Sequence, residues 1–268
     1  MSESISRRDL FRATASGALL TGCAAPSSPA PGAPEEPAAT PAAPASGAPA
    51  SRAPATASHP PGPAPLPPGL PDQIEHGPAD RPLVALTFHG QGDPAMAGEL
   101  LAEAERAGAR VTVLAVGTWL DAYPSVARRV LDGGHELGNH TQTHGALDAM
   151  DRARAAAEIE DCARRLERLT GSRGRWFRPS RTRLATPLVV ELARRAGYPH
   201  LLSYDVDPLD YTDPGPAAVR AATARQVRAG SVVSLHFGHR GTVAALPGIL
   251  DDLHRRGLRA VTTSELLT

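Results

Sequence analysis

Residues 81–268 predict an α/β fold: a parallel sheet flanked by helices. Short apolar runs with β-branched residues alternate with longer helical patterns along this stretch. The connections between them are short, as expected of repeated strand and helix units. The polar residues able to do chemistry follow the strand-like runs, where reactive groups gather in closed α/β sheets. The first unit is Leu83–Phe88, then the turn-like His89-Gly90-Gln91-Gly92-Asp93-Pro94, then a helical pattern to about Ala107. The alternation continues with a strand over Val111–Val116, a helix over Ser125–Asp132, a short strand over His135–Leu137 and a helix over Arg152–Leu169. Next come a strand at Trp176-Phe177, a helix over Pro187–Ala196, a strand over Leu201–Tyr204 and a helix over Pro216–Arg228. A strand over Ser231–Leu235, a helix over Val243–Arg256 and a last strand near Ala260-Val261 complete the pattern. That many units predict a closed or partly closed barrel.

The chain ahead of residue 81 has a different character. Arg7-Arg8 precede a short apolar stretch that ends in Leu20-Thr21-Gly22-Cys23. A twin arginine of this kind matches a bacterial export signal, and the ending resembles a lipoprotein signal whose cysteine is lipidated after cleavage. The apolar run is too short for a permanent membrane-spanning helix. Residues 1–23 are therefore expected to be a signal, with Cys23 as the membrane anchor. From Ala24 to Pro71 the sequence is almost wholly Ala, Pro, Ser and Gly and holds sixteen of the 27 prolines. Such a segment has too little apolar surface to offset its conformational entropy, so residues 24–80 are expected to be a semi-extended spacer. The remaining residues 81–268 have the length of one ordinary domain.

With 28 basic and 28 acidic residues the formal charge is zero, and no nucleic-acid partner is expected. All the basic residues are Arg, which fits codon bias in a GC-rich genome rather than function. Cys162 is the only cysteine left after the signal, so no internal disulfide is possible and a small core residue is expected.

His140 and His144 stand four residues apart, a spacing that would put both imidazoles on one side of a helical turn. Neutral imidazoles suit zinc and its neighbours, and catalytic sites keep an open position for water or substrate. Further candidate groups follow other strands: His89 to Asp93, Arg178-Pro179, Asp205 to Tyr211, and Leu235-His236.

On these segments the sequence resembles the polysaccharide deacetylases of carbohydrate esterase family 4, the NodB-homology family, over about Pro82 to Leu267. His140-Thr141-Gln142-Thr143-His144 matches the family's His-Ser/Thr-x-x-His metal motif, and Phe177-Arg178-Pro179 matches its Arg-Pro motif. Leu235-His236 matches the Leu-His motif, and Asp207-Pro208-Leu209-Asp210-Tyr211 approximates Asp-x-x-Asp-Trp with Tyr for Trp. The resemblance implies a distorted (β/α) barrel and a divalent metal, zinc first, with Co, Ni or Mn as alternatives. It also implies removal of acetyl groups from a polysaccharide, with Arg178 orienting the base and His236 protonating the leaving amine.

The first motif departs from the family. Where the family reads Thr-Phe-Asp-Asp-Gly, with a base and then a metal ligand, this chain reads Thr87-Phe88-His89-Gly90-Gln91. His89 could serve as base, since its ordinary pKa lies near neutrality, or as third ligand, and Asp93 could take either role. The expected assignment is Asp93 as ligand with His140 and His144, and His89 as base. Asp207 and Asp210 are expected to orient His236. Trp176, Tyr204 and Tyr211 could stack on sugar rings, while His239 and His254 are expected at the surface. The expected protein is thus an exported, lipid-anchored, monomeric deacetylase of an acetylated cell-envelope polysaccharide. The rival reading is a catalytically silent glycan-binding or structural wall protein.

Overall fold

The structure is a computed structural model and describes residues 65–268. The expectations placed on Arg7, Arg8, Cys23 and the linker up to residue 64 lie outside the described residues. The strands are β1 (Gln73–Ile74), β2 (Leu83–Gly90), β3 (Thr112–Ala115), β4 (Glu136–Asn139), β5 (Leu201–Leu202), β6 (Val232–His236) and β7 (Arg259–Val261). The helices are α1 (Pro94–Arg106), α2 (Gly117–Ala122), α3 (Ser125–Asp132), α4 (Arg152–Thr170), α5 (Pro187–Arg195), α6 (Pro216–Gln226), α7 (Arg240–Arg255) and α8 (Thr263–Leu267).

All strand pairings are parallel. β2 is central: one edge carries β6, while the other carries β7 along Leu83–Ala85 and β3 along Thr87–Gly90. β4 follows on β3. Beyond it the wall is made by single bridges, Asn139 to Phe177 and Phe177 to Leu201, which reach β5 and through it β1. Val206 bridges back to Val233 of β6. The result is a distorted (β/α) barrel whose ring is partly held by isolated bridges.

Side chains alternate between the two faces of a strand, and this period sorts the core. Leu83 and Ala85 of β2, Leu114 of β3, Val232 of β6, Trp176 and Leu202 pack together inside the ring. Val84, Leu86 and Phe88 of β2, Val113 and Ala115 of β3, and Val233 and Leu235 of β6 pack outward under the helices. A third cluster joins α4 and α5 to Phe177, Tyr198 and Leu201. Fully burying one such Leu, Val or Phe contributes about 1.5–3 kcal/mol, so the outer layer carries much of the fold's stability. The same parity continues to the strand ends. It sends His89, Ser234 and His236 inward at the carboxyl end of the barrel, and turns Gly90 outward.

Helix starts are marked locally. Asp93 caps α1 by accepting from the Ala95 amide, with Pro94 at the first helical position. Thr186 and Pro187 do the same for α5, and Thr262 with Glu265 forms a capping box on α8.

Four departures from the sequence-based reading follow. The spacer does not reach residue 80: Ile74 is buried, β1 pairs with β5, and Gln73 exchanges hydrogen bonds with the Ala185 backbone. Trp176-Phe177 is not a strand, because only Phe177 forms bridges. α2 and α8, six and five residues long, carry too few periodic positions to register in the sequence. The fourth concerns His140 and His144: they occupy a loop after β4, not a helix, with Thr141 and His144 both left-handed at φ 69° and 60°. Cys162 is buried in the outer core as expected, its thiol directed at the Ala115 carbonyl.

Candidate active site

Three histidines meet at the carboxyl end of the barrel. Their ligand atoms, one each from His89, His140 and His144, lie within 4.8 Å of one another. His140 is fully buried, and its Nδ1 lies 2.9 Å from the Arg178 carbonyl oxygen, a contact that requires Nδ1–H and leaves the Nε2 lone pair free. That Nε2 faces His89 Nδ1 at 2.7 Å. The other nitrogen of His89 lies 2.9 Å from Ser234 Oγ and 3.4 Å from Arg178 Nη1.

The loop that carries the pair is tied at several points. Asn139 accepts from the Thr141 amide and donates to the Ile159 carbonyl, which pins the loop to α4. Glu158, also on α4 and almost buried, accepts from both the Thr143 amide and its hydroxyl. On the other side the amides of Gly117 and Thr118, at the start of α2, donate to the Thr141 and Gln142 carbonyls. A Cβ at Gly117 would fall 2.0 Å from Gln142 Oε1, so a larger residue there would have to turn the Gln142 side chain aside.

Charge and burial keep the imidazoles neutral. Burial holds His89 well below its ordinary pKa, reinforced by His140, His236 and Arg178. Burial, then the nearby His144, depresses His140 well below the usual value despite the Arg178 carbonyl. His144 is lowered by burial, then by Arg181 and His236, with Glu158 acting in the opposite sense. Neutral imidazole nitrogens gathered in one cluster suit a divalent cation, which would take the place of the His89–His140 hydrogen bond, and the carbonyl behind His140 supplies the usual outer-shell partner. A three-histidine donor set suits zinc with a fourth position open. The residues present therefore fit the metal implied by the sequence.

Beside the cluster stands a histidine and carboxylate pair. Asp210 is buried; it accepts from His236 Nδ1 at 2.7 Å, from the His236 amide at 2.8 Å and from the Thr242 hydroxyl at 2.6 Å. Asp210 thus holds Nδ1 of His236 and leaves Nε2 as the ring's free nitrogen. The His236 ring stacks on that of His89, centroids 4.2 Å apart. Arg178 is fully buried, its Nε and Nη2 donating to the Leu202 and Ser203 carbonyls. Burial lowers its pKa to about 10, and among the described residues no carboxylate forms an ion pair with it.

The site opens into a cavity of about 610 Å³ lined by His89, His144, Tyr204, Asp207, Tyr211 and His236, among others. Two predicted roles are corrected. Asp93 does not reach the cluster: its carboxylate is committed to the α1 cap, outside the three-histidine group. Asp207 lines the cavity without touching His236, because its carboxylate accepts from the Leu209 amide two residues on. Of the aromatic candidates, Trp176 is core, whereas Tyr204 and Tyr211 line the cavity. His239, expected at the surface, also lines it, paired with Asp213 at 2.9 Å. His254 is exposed as expected. Sequence reasoning passed over Ser234, Arg181 and Glu158. Ser234 was findable, since it shares the inward parity of Val232 and His236.

The family model for polysaccharide deacetylase matches residues 76–201. The peptidoglycan-N-acetylglucosamine deacetylase of Bacillus cereus is 31% identical over 194 residues, covering 71% of this chain and 90% of that protein. A chitooligosaccharide deacetylase of Sinorhizobium fredii is 28% identical over 189 residues, covering 66% of this chain and 87% of that one. Among solved structures, a CE4 family pseudoenzyme from Bacillus anthracis aligns with a TM-score of 0.69 at 23% identity, covering 74% of this chain and 70% of the other. That likeness is one of fold.

Proposed function

The chain belongs to the polysaccharide deacetylase family, and from that premise we propose that it is a metal-dependent N-acetyl deacetylase of a cell-envelope polysaccharide, using His89, His140 and His144 as its metal ligands. The observation that carries the reading is the convergence of these three neutral imidazoles beside the His236–Asp210 pair. His89 thus takes the ligand role instead of Asp93, and the base role passes elsewhere.

His89, His140 and His144 would hold the divalent cation, which would supply polarisation of the acetyl carbonyl and a water of lowered pKa. The chain's own residues supply the proton transfers. With Nδ1 held by Asp210, His236 Nε2 takes a proton from the attacking water and returns it to the amide nitrogen as the C–N bond breaks, giving acetate and a free amine. Asp210 stabilises the imidazolium between the two steps. Arg178, fixed by two carbonyls, keeps a positive charge behind His89. Tyr204 and Tyr211 line the cavity in which the sugar would lie.

Location is part of the same reading. Arg7-Arg8 and Leu20-Thr21-Gly22-Cys23 support export and lipid anchoring through Cys23, with the proline-rich segment as spacer toward the wall. Among the described residues no helix is long and apolar enough to cross a membrane.

The test is acetate release by the zinc-loaded full chain from peptidoglycan, chitin oligomers and acetylated xylan. Release from the N-acetylated glycans supports the reading, and release from xylan alone moves it to an esterase. The silent-binder reading is favoured by the absence of both motif carboxylates; it requires that no substrate be cleaved while glycan is still bound.

A further inference from the structure

Among the charged side chains lining the cavity over the candidate site, arginine outnumbers acid. His89 and Gly90 are neutral where the family motif has two carboxylates, and Arg178 lies behind them without an acidic partner. Among the described residues, Asp207 is the only acid lining the cavity, against two arginines, Arg181 and Arg183.

The two arginines are used differently. Arg183 is engaged, in an ion pair with Glu75 and a hydrogen bond from Nε to the Tyr204 carbonyl. Arg181 donates Nε to the His144 carbonyl at 3.1 Å, while its two terminal nitrogens have no partner among the described residues. Its placement is fixed by the backbone. Arg181 sits in the left-handed region at φ 59°, beside Ser180, whose hydroxyl donates to the Gly145 carbonyl. Residues held in that region persist where their surroundings over-determine them, and such positions gather at ligand sites. A guanidinium anchored through Nε presents its free fork in the geometry that matches a carboxylate.

We propose that Arg181 is a specificity-determining residue that binds a carboxylate on the glycan. The substrate class is an acetylated sugar that bears a carboxylate, or has one on the adjoining residue. The proposal rests on the deacetylase reading for what happens to the acetyl group, but the binding it requires can be measured without turnover. The carboxylate could come from a lactyl ether or from a uronic acid, and the experiment separates the two.

The full chain is titrated calorimetrically with three length-matched oligosaccharides: a neutral N-acetylglucosamine oligomer, one containing lactyl-ether residues and one containing uronic acid. At least one carboxylated ligand binds about tenfold or more tightly than the neutral one, the scale of a charge-assisted hydrogen bond, and the tighter of the two identifies the source. The preference shrinks in high salt, as expected of a partly exposed ion pair. Arg181→Gln abolishes the preference, Arg181→Lys keeps part of it, and Arg128→Gln, on the exposed face of α3, leaves it intact. Equal affinity for all three ligands overturns the proposal, as does a preference that survives Arg181→Gln or is lost as completely in Arg181→Lys. The two readings fail separately. An Arg181-dependent preference with no acetate release from any glycan sinks the deacetylase reading alone. Equal acetate release from neutral and carboxylated glycans, with equal binding, sinks only the role of Arg181.

Discussion

His89 is where this chain parts from its family, and single substitutions there and around it are the sharpest probes. His140→Ala and His144→Ala should each lose most of the bound metal, while exposed His254→Ala keeps it; metal analysis after desalting checks this. Asp93→Ala should leave both metal and acetate release unchanged and cost about 1 kcal/mol through the lost α1 cap, read by denaturant unfolding. A loss of metal in that variant would restore the sequence-based assignment. Asp210→Ala leaves the His236 ring and the Thr242 hydroxyl without their buried acceptor, costing about 1–3 kcal/mol of stability. It should also lower kcat by about a hundredfold or more with KM little changed, since base catalysis is worth that much. At this scale the motif histidines and Asp210 were legible because their chemistry is tied to their identity. Asp93 misled because Asp-Pro is also a helix-start signal, and its cap geometry exists only once α1 is formed.

The strands explain why the missing carboxylate cannot simply be restored. Gly90 has outward parity, and a Cβ there would meet Val113 Cγ1 at 2.9 Å and the Ala115 Cα at 3.0 Å. Gly90→Asp should therefore overpack the outer layer, costing about 1–3 kcal/mol, without adding metal affinity. A rise in zinc affinity in Gly90→Asp would show that β2 can re-register and would undo this assignment. Most elements were readable from periodicity: β2, β3, β6 and the long helices fall within a few residues of expectation. What was not readable depends on distant partners. β1 exists only because Gln73 and Ile74 pair with Leu201 and Leu202, and the loop holding His144 is shaped by Glu158 and α2, not by local propensity.

At the scale of the whole molecule, the buried imidazoles set a pH limit. The pKa values of His89, His140 and His144 are all lowered on folding from an ordinary value of 6.5. The folded state then binds fewer protons than the unfolded one, so their contribution is fully present above about pH 6.5 and is lost as pH falls toward the depressed values. Metal-free protein should accordingly lose thermal stability as pH falls below about 6.5, and added zinc should offset part of that loss by mass action. A melting temperature flat across this range would contradict burial of neutral histidines. The barrel was legible as a class, because alternating units with short connections leave few alternatives; its closure through single bridges at Phe177 and Val206 was not, since one bridged residue leaves no periodic trace.

The central claim is that His89, at the position of the family's base, serves as the third ligand of a three-histidine metal site, and zinc stoichiometry tests it most directly. The full chain and its His89→Ala variant are equilibrated with zinc, desalted and measured by atomic spectroscopy, with circular dichroism confirming that both are folded. The expected result is about one zinc per wild-type chain, as for a single tetrahedral site, and little or none in the variant. A wild-type chain that holds no zinc, or a folded His89→Ala variant that holds as much as wild type, would contradict the claim.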